Sequence, residues 1–325
     1  MRILRNVVLS LVAVLLIGGL LAAWFLGPSL GIALRGAPFF LFPPSPERYA
    51  TVVLDEAESR GLYADDPAFA DARAEAERVA EQAGDVAETH ETLHAALQIA
   101  GGTHSHLIPP GQVAAAEAAV PAEPTVTRDG SVVVATVPAH NQAHDPQAYA
   151  DTLALGLTDG DDVCGAVVDL RGNTGGDMGP MVAGLSPLLP DGVALRFVAG
   201  ENSSPVVVEG NSVRGGGTPV TTSGGKLGVP VAVLTDELTA SSGEATLVAF
   251  HGLDDVRTFG TPTAGYASAN MTFTMPDGAL ILLTAMQFED RTGHVHEEAP
   301  IEPDGATDDP EQQARDWLRE EHGCS

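Results

Sequence analysis

The sequence predicts a mixed α/β fold, with a helical subdomain on its N-terminal side and a transmembrane helix in front of that subdomain. Residues 131–170 have the strand, helix, strand pattern of a parallel crossover unit. Residues 229–251 join a second apolar strand to a helix through a turn of small residues. Residues 48–100 are rich in Ala and Glu at helical spacing, and this pattern is broken at Gly61 and at 65–67.

The chain has 325 residues, enough for one large domain or two modest ones, and its net charge is −28. Such an acidic chain has no basic stripe to neutralise phosphates, so nucleic acid is excluded as a partner. Lysine occurs once, at Lys226, against fifteen arginines. The two cysteines, Cys164 and Cys324, either pair in an oxidising compartment or stay as free thiols, and the sequence leaves both possibilities open.

An apolar run without charge covers residues 7–27 behind a short basic start, which predicts a single-pass membrane anchor over residues 1–28. A cleaved secretory signal is the alternative, but its apolar region is shorter, about 7–15 residues, and ends at a small-residue cleavage site. The basic start places the N-terminus in the cytoplasm and the rest of the chain outside it. Residues 29–47 are expected to form a Pro-rich tether, and residues 48–100 the helical subdomain.

Within the helical subdomain, His90, Glu91 and His94 match the His-Glu-x-x-His pattern of zinc peptidases. On a helix this spacing turns both imidazoles to one face, where they bind zinc while the glutamate acts as base. A zinc site needs a third ligand. The next acidic residue after His94 is Glu117, which lies beyond a predicted strand and two prolines. A solvated helical face explains the same residues, so the zinc peptidase is kept only as an alternative.

The elements after the helical subdomain follow from short apolar runs and turn residues. Glycines at 101 and 102 end the helical region, and the next residues, among them His104 and His106, predict an edge strand. The later predicted elements are strands at 131–137 and 165–170 around a helix at 146–157, a glycine-rich turn at 171–176, a helix at 177–189, a hairpin or meander at 193–213, a strand from 256 to 260, a hairpin at 271–284 and an acidic helix at 308–322.

A turn of small residues separates the apolar run 231–234, typical of a buried strand, from a helix at 245–250. The turn places Ser241 or Ser242 at the start of the helix, where free backbone amides point. A serine there either caps the helix or acts as a nucleophile whose attack creates an oxyanion. This stretch alone favours the helix cap, and a catalytic serine needs support from motifs elsewhere in the chain.

Five blocks stand in a fixed order along the chain: Gly-Thr-His-Ser-His-Leu at 102–107, Val-Asp-Leu-Arg-Gly-Asn-Thr-Gly-Gly at 168–176, Leu-Thr-Ala-Ser-Ser-Gly-Glu at 238–244, Phe-Gly-Thr-Pro-Thr-Ala-Gly at 259–265, and Asp-Arg-Thr-Gly at 290–293 leading to Ile-Glu-Pro-Asp at 301–304. Together they resemble the serine peptidase family of C-terminal processing (tail-specific) proteases and the tricorn core, nearest to its membrane-anchored nisin-resistance type. The resemblance covers roughly residues 48–320. It implies a ClpP/crotonase-like peptidase core over residues 101–322.

The resemblance also implies the roles of individual residues. Ser241 would be the nucleophile and His104 the base that takes its proton. The N–H groups of Ser242 and Gly175, or less favourably Gly176, would form the oxyanion hole. A PDZ domain needs roughly 80 to 100 residues. Only about 65 residues lie between His104 and Asp169, at the end of the strand before the glycine turn, so no PDZ domain is expected.

Many members of the family use a lysine about 25 residues after the serine, but Tyr266 stands there and Lys226 lies upstream, which favours the histidine. An orienting acid, if one exists, would be Glu298, Glu297 or Asp290. The predicted function is a membrane-anchored, extracytoplasmic serine peptidase that needs no cofactor or metal and acts on peptides or proteins. The net negative charge of the chain is expected to favour cationic antimicrobial peptides as substrates. A zinc metallopeptidase and a non-catalytic peptide-binding protein are the alternatives.

Overall fold

The structure, a computed structural model, describes residues 2–141, 143–160 and 162–325. The chain divides into two compact units. The first unit contains Met1–Ala116 and Asn270–Ala285, and the second contains Glu117–Ala269 and Met286–Ser325. The chain passes from one unit to the other within the helix Pro110–Ala118 and within the strands Ser268–Thr274 and Leu280–Asp290.

The α-helices are α1 (Arg2–Arg35), α2 (Pro46–Arg60), α3 (Pro67–Gln82), α4 (His90–Gly101), α5 (Pro110–Ala118), α6 (Pro146–Leu157), α7 (Met178–Gly184), α8 (Ser242–Val248) and α9 (Pro310–His322). The strands are β1 (His106–Ile108), β2 (Thr125–Asp129), β3 (Val132–Thr136), β4 (Gly165–Asp169), β5 (Gly192–Ala199), β6 (Asn202–Glu209), β7 (Ser212–Arg214), β8 (Val220–Thr221), β9 (Val231–Thr235), β10 (Val256–Gly260), β11 (Ser268–Thr274), β12 (Leu280–Asp290) and β13 (Gly305–Ala306). Short 3₁₀ helices cover Val86–Thr89 and Ser186–Leu188.

A six-stranded sheet in the order β13-β10-β9-β4-β3-β2 forms the centre of the second unit. Its strands run parallel except for β2, which pairs with β3 in the antiparallel sense. Every residue of β9 is buried, as expected of an unbroken apolar run covered on both faces. The predicted crossover unit is confirmed, because β3 and β4 are parallel neighbours and α6 connects them.

The register of β4 and β9 brings two loops of the second unit together. Val168 lies opposite Val233 and Asp169 opposite Leu234, so the two parallel strands end side by side. Consequently the glycine-rich turn after β4 and the serine turn after β9 leave the same edge of the sheet. This edge, where the strands' carboxyl ends meet, is the usual place for a ligand in an open α/β sheet.

The rest of the second unit is an antiparallel meander of β5, β6, β7 and β8, with residues 287–290 of β12 paired to β5. The predicted helix at 177–189 is shorter than expected, because α7 ends at Gly184 and only a 3₁₀ turn follows. A disulfide joins Cys164, just before β4, to Cys324, just after α9. It resolves the alternative that the sequence left open and attaches the C-terminal helix to the sheet.

In the first unit, α2, α3 and α4 pack on one another, and the breaks predicted at Gly61 and 65–67 fall between the end of α2 and the first residue of α3. Their apolar faces share a core with side chains from β1, β11 and β12, including Leu107, Phe273 and Ile281. The strand predicted after the glycines is β1, which pairs with β12 so that His106 lies opposite Leu282.

Helix α1 extends beyond the predicted end of the anchor, because it continues through Pro28 to Arg35. Gly27 and Gly31 leave room there for the returning chain at Phe39, which lies against both glycines. The span Leu9–Arg35 has a mean hydropathy of 2.5 in its most apolar window and no buried residue within that window. By length and composition, α1 is therefore apolar enough to be a membrane anchor or a signal sequence.

Candidate active site

The serine turn presents Ser241 in a backbone conformation that serine rarely adopts. Ser241 is the N-cap of α8, with φ 53° and ψ −116°. Among the residues that the structure describes, no other residue except glycine has a positive φ. Such a conformation is energetically unfavourable and persists only when surrounding contacts hold it, which is common at catalytic positions. Ser241 is half-buried, so it keeps partial access to solvent.

The side chain of Glu244 holds the serine turn in this conformation through hydrogen bonds. Its side chain is fully buried, and burial raises the pKa of its carboxyl group while the hydrogen bonds it accepts oppose that rise. One oxygen, Oε2, accepts the N–H groups of Ser241 at 2.9 Å and Tyr266 at 2.8 Å. The other, Oε1, accepts the Thr263 hydroxyl and the Gly265 N–H. The carboxylate therefore ties the backbone of Ser241 to the loop between β10 and β11.

The glycine-rich turn packs directly against Ser241. A Cβ atom at Gly175 would lie 2.9 Å from the Ser241 Cβ, so only glycine permits this approach, and Gly175 also has a φ of 104°. Asn173 fixes the turn from inside: its carbonyl oxygen accepts the Ala240 N–H at 2.9 Å, and its side-chain amide donates to the Val137 carbonyl at 2.8 Å. The Ser242 hydroxyl closes the contact by donating to the Gly176 carbonyl at 2.6 Å.

Two N–H groups beside Ser241 have no hydrogen-bond acceptor within the described part of the chain, those of Ser242 and Gly176. The Gly175 N–H, in contrast, already donates to Asn173 Oδ1 at 2.9 Å. The Gly175 carbonyl accepts the His140 N–H, so the Gly176 N–H, on the opposite side of the same trans peptide, points away from His140. The structure thus offers unused donors on both the serine and the glycine turn.

His104 belongs to the first unit, where it lies just before β1 and is only 6% exposed. Its carbonyl oxygen accepts the Asn270 side-chain amide at 3.3 Å, which fixes the backbone at this point. Burial, and to a smaller degree the neighbouring His106, lower the pKa of His104 to about 4. The imidazole is therefore neutral at pH 7, the form that a general base requires. The pairing of His104 with Ser241 stays a prediction.

The three candidate acids have different surroundings in the second unit. Glu298 lies 3.5 Å from the Ser268 hydroxyl. Its segment runs into Ile301, whose N–H donates to the Thr263 hydroxyl that Glu244 also binds. Glu297 is exposed. The carboxylate of Asp290 instead accepts hydrogen bonds from the turn that follows it, beyond the opposite end of α8 from Ser241.

The residues of the zinc-peptidase pattern do not assemble as metal ligands in the described part of the chain. His90 Nε2 lies 3.0 Å from an Asp277 carboxylate oxygen. The Nδ1 atom of His94 accepts the Leu107 N–H. Glu91 is exposed, and the side chain of Glu117 lies outside the described atoms. The pattern therefore describes residues that hold α4 against its neighbours in the first unit.

Two residues of the site had no role in the sequence analysis. Glu244 could have been found there, because Ser-x-x-Glu at 241–244 is a capping-box signature. The role of Asn173 as the internal clamp of the glycine turn has no comparable signal, since it depends on contacts with residues 36 and 67 positions away.

Comparison with known proteins gives a consistent set of matches. The profile of peptidase family S41 matches residues 137–307. The nisin-resistance protein of Lactococcus lactis subsp. lactis is 35% identical over 326 residues, which cover 98% of this chain and 99% of that protein. A lipoprotein from Streptococcus agalactiae superposes with a TM-score of 0.76 at 29% identity, covering 87% of this chain and 99% of the other. The photosystem II D1 C-terminal processing protease shares the fold, with a TM-score of 0.54 at 12% identity over 82% of this chain and 94% of the other.

Proposed function

The chain belongs to peptidase family S41, and from this premise we propose that it cleaves peptide bonds with Ser241 as nucleophile and His104 as general base. The family resemblance found in the sequence is confirmed by these matches. The observation that carries the proposal is the backbone of Ser241, held at positive φ with a glycine turn against its side chain. A serine that merely caps a helix does not need this conformation, because N-caps are typically extended.

The proposed reaction begins when neutral His104 takes the proton of the Ser241 hydroxyl as its oxygen attacks the peptide carbonyl carbon. The carbonyl oxygen becomes an oxyanion in a tetrahedral intermediate. His104, now protonated, gives its proton to the leaving amine, and the first product departs from an acyl-enzyme. A water molecule, deprotonated by His104, then attacks the ester carbonyl carbon of the acyl-enzyme. The second product leaves as the Ser241 oxygen takes the proton back, which restores both residues.

We assign one donor of the oxyanion hole to the Ser242 N–H and the second to the glycine turn. Gly175 is the residue expected from the family pattern, and it lies nearest to Ser241. Because its N–H is used by Asn173, the Gly176 N–H is the better donor in this conformation. Removing one such donor from a serine peptidase typically lowers kcat by about 10² to 10³.

Among the three acids, we propose Glu298 as the group that orients the imidazole of His104. Its segment is hydrogen-bonded to the loop that Glu244 ties to the Ser241 turn. Asp290 is less suitable because one of its oxygens is saturated by its own turn.

We propose that α1 anchors the protein in a membrane with the peptidase outside the cytoplasm. The basic residues before the apolar run favour this orientation, and the disulfide between Cys164 and Cys324 suits an oxidising compartment. The net charge of −28 attracts cationic peptides to the surface. Together with the relative named for nisin resistance, this charge points to cationic antimicrobial peptides as substrates.

The test uses the full chain in detergent micelles with two peptides of equal length, a cationic lantibiotic and an anionic peptide. Mass spectrometry of the products measures cleavage. The wild type should cleave the cationic peptide faster, and the difference should shrink at high salt, which screens surface charge. Equal rates on both peptides would remove the substrate proposal while leaving the peptidase proposal intact.

Three variants test the mechanism. Ser241→Ala and His104→Ala should each lower kcat by at least about 10³, by analogy with other serine hydrolases. Glu91→Gln serves as the matched control, since a zinc peptidase would lose activity with it whereas a serine peptidase would not. Activity retained in Ser241→Ala and lost in Glu91→Gln would replace the proposal by the zinc alternative. Peptide binding without any turnover in the wild type would favour a non-catalytic binding protein.

A further inference from the structure

Three potential metal ligands meet in the second unit at the end of α8 farther from Ser241. His251 follows α8, Asp290 ends β12, and His296 lies six residues after Asp290. One ligand atom from each of these side chains lies within 4.8 Å of the other two. His296 Nε2 and an Asp290 carboxylate oxygen, Oδ2, are 3.5 Å apart. Within the described part of the chain, no other set of three such residues comes this close.

The carboxylate of Asp290 is already oriented for binding. Its Oδ1 atom accepts three hydrogen bonds from the following turn: the N–H and hydroxyl of Thr292 at 2.8 and 2.6 Å, and the His294 N–H at 3.1 Å. Oδ2 is left facing His296. Hydrogen bonds of this kind fix the orientation of metal-ligating carboxylates in known metal sites.

His296 supplies an independent indication that something binds here. Its side chain is 8% exposed, and its Nε2 atom is buried without a hydrogen bond in the described structure, because Asp290 Oδ2 at 3.5 Å is too distant for a well-formed one. A buried polar atom in this state destabilises a fold, so native proteins usually satisfy it.

We propose that His251, Asp290 and His296 bind a zinc ion. Two imidazoles and one carboxylate are typical zinc ligands, at about 2.0–2.2 Å from the ion. In a tetrahedral site such bonds place ligand atoms about 3.4 Å apart, and the Asp290–His296 separation of 3.5 Å already matches this spacing. Water reaching the site past half-buried His251, or the exposed side chain of His294, completes the coordination.

The charges around the site also favour a cation. Asp290 contributes a carboxylate directly, and the negative charge of Asp304 acts on His251 from the segment before β13. Arg291, the residue after Asp290, directs its guanidinium to the carbonyl oxygens of Ala249 and His251 at the end of α8. The ion would join the end of α8 to the turn after β12, which makes the site structural and separate from the proposed serine chemistry.

The experiment uses the full chain in detergent, stripped of metal with a chelator and dialysed. Isothermal titration with Zn²⁺ measures stoichiometry and affinity, and Co²⁺ replaces zinc as a visible-absorption probe of tetrahedral coordination. We expect one zinc per wild-type chain and a zinc-dependent rise in Tm. Saturation at 100 times Kd stabilises by about 2.7 kcal/mol, or roughly 5–11 °C for a domain of this size.

Two ligand variants and one control decide the outcome. His251→Gln and Asp290→Asn should each weaken zinc binding by more than about tenfold and abolish the tetrahedral Co²⁺ spectrum. His251 is half-buried, so its variant should fold, and an unchanged metal-free Tm checks this. His94→Ala, in the unrelated zinc-peptidase pattern, should bind zinc as the wild type does. No stoichiometric zinc in the wild type, unchanged affinity in both ligand variants, or loss of binding in His94→Ala would overturn the proposal.

Discussion

Replacing Glu244 by glutamine tests whether one buried carboxylate holds the serine turn. A glutamine keeps the shape and one oxygen, so its amide is expected to turn that oxygen to the N–H groups of Ser241 and Tyr266. Its NH₂ group then faces the Thr263 hydroxyl, which can rotate to accept, and the Gly265 N–H, which cannot. The buried Gly265 N–H loses its acceptor, and the Thr263 hydroxyl proton has to turn to another one.

A single buried and unsatisfied N–H lowers the free energy of unfolding by about 1–3 kcal/mol. For a domain of roughly this size each kcal/mol lowers Tm by about 2–4 °C, so Glu244→Gln should lower Tm by about 2–12 °C. Because the Ser241 N–H keeps its acceptor, the peptidase activity of the folded variant should fall by less than about tenfold. Glu244→Ala removes the carboxylate that accepts all four hydrogen bonds, and it should lower both stability and activity much further.

The assay is thermal unfolding followed by circular dichroism, with peptide cleavage measured on the same samples. The matched control is Asp145→Asn, because Asp145 caps α6 from an exposed position through one hydrogen bond to Ala148. Asparagine caps helices about as well as aspartate, so this variant should stay within about 0.5 kcal/mol of the wild type. A Tm for Glu244→Gln equal to that of the control would refute the reasoning that burial makes these hydrogen bonds matter.

The remaining predictions concern the glycine turn, the disulfide and pH. Gly176→Ala would drive a Cβ into a neighbouring backbone carbonyl and should abolish cleavage. The control is Gly225→Ala, because Gly225 has a similar positive φ but open space around it. This control should lower the free energy of unfolding by only about 1–2 kcal/mol and leave cleavage unchanged. Replacing Cys164 and Cys324 together by alanine should lower the free energy of unfolding by about 2–5 kcal/mol in denaturant titrations, and a reducing agent should then have no further effect. His104 must be neutral to act as base, and its pKa is about 4, so kcat/KM should fall only as the pH drops through about 4. A fall in kcat/KM near pH 6.5, in protein that is still folded, would contradict the role of His104 as base.

The sequence by itself located most elements of the fold. Apolar runs such as 231–234 are long enough and uninterrupted enough to be buried strands, and the helix at 146–157 begins with a capping aspartate and a proline. The order of the five motif blocks is enough to identify the family, and it singles out Ser241 as the candidate nucleophile. These signals are local, because each depends on residues within a few positions of one another. Helix ends were harder to predict, since α1 continues through Pro28 and α7 stops before the predicted residue.

The tertiary structure decided what each site residue touches. It showed that Asn173 uses the Gly175 N–H, that Glu244 binds residues 19 to 22 positions later, and that Cys164 pairs with a cysteine 160 residues away. It also placed Asp290 in a histidine cluster, where the sequence had made it a candidate catalytic acid. No periodicity records such contacts, because the chain brings these residues together only when the sheet forms and its buried polar groups find partners.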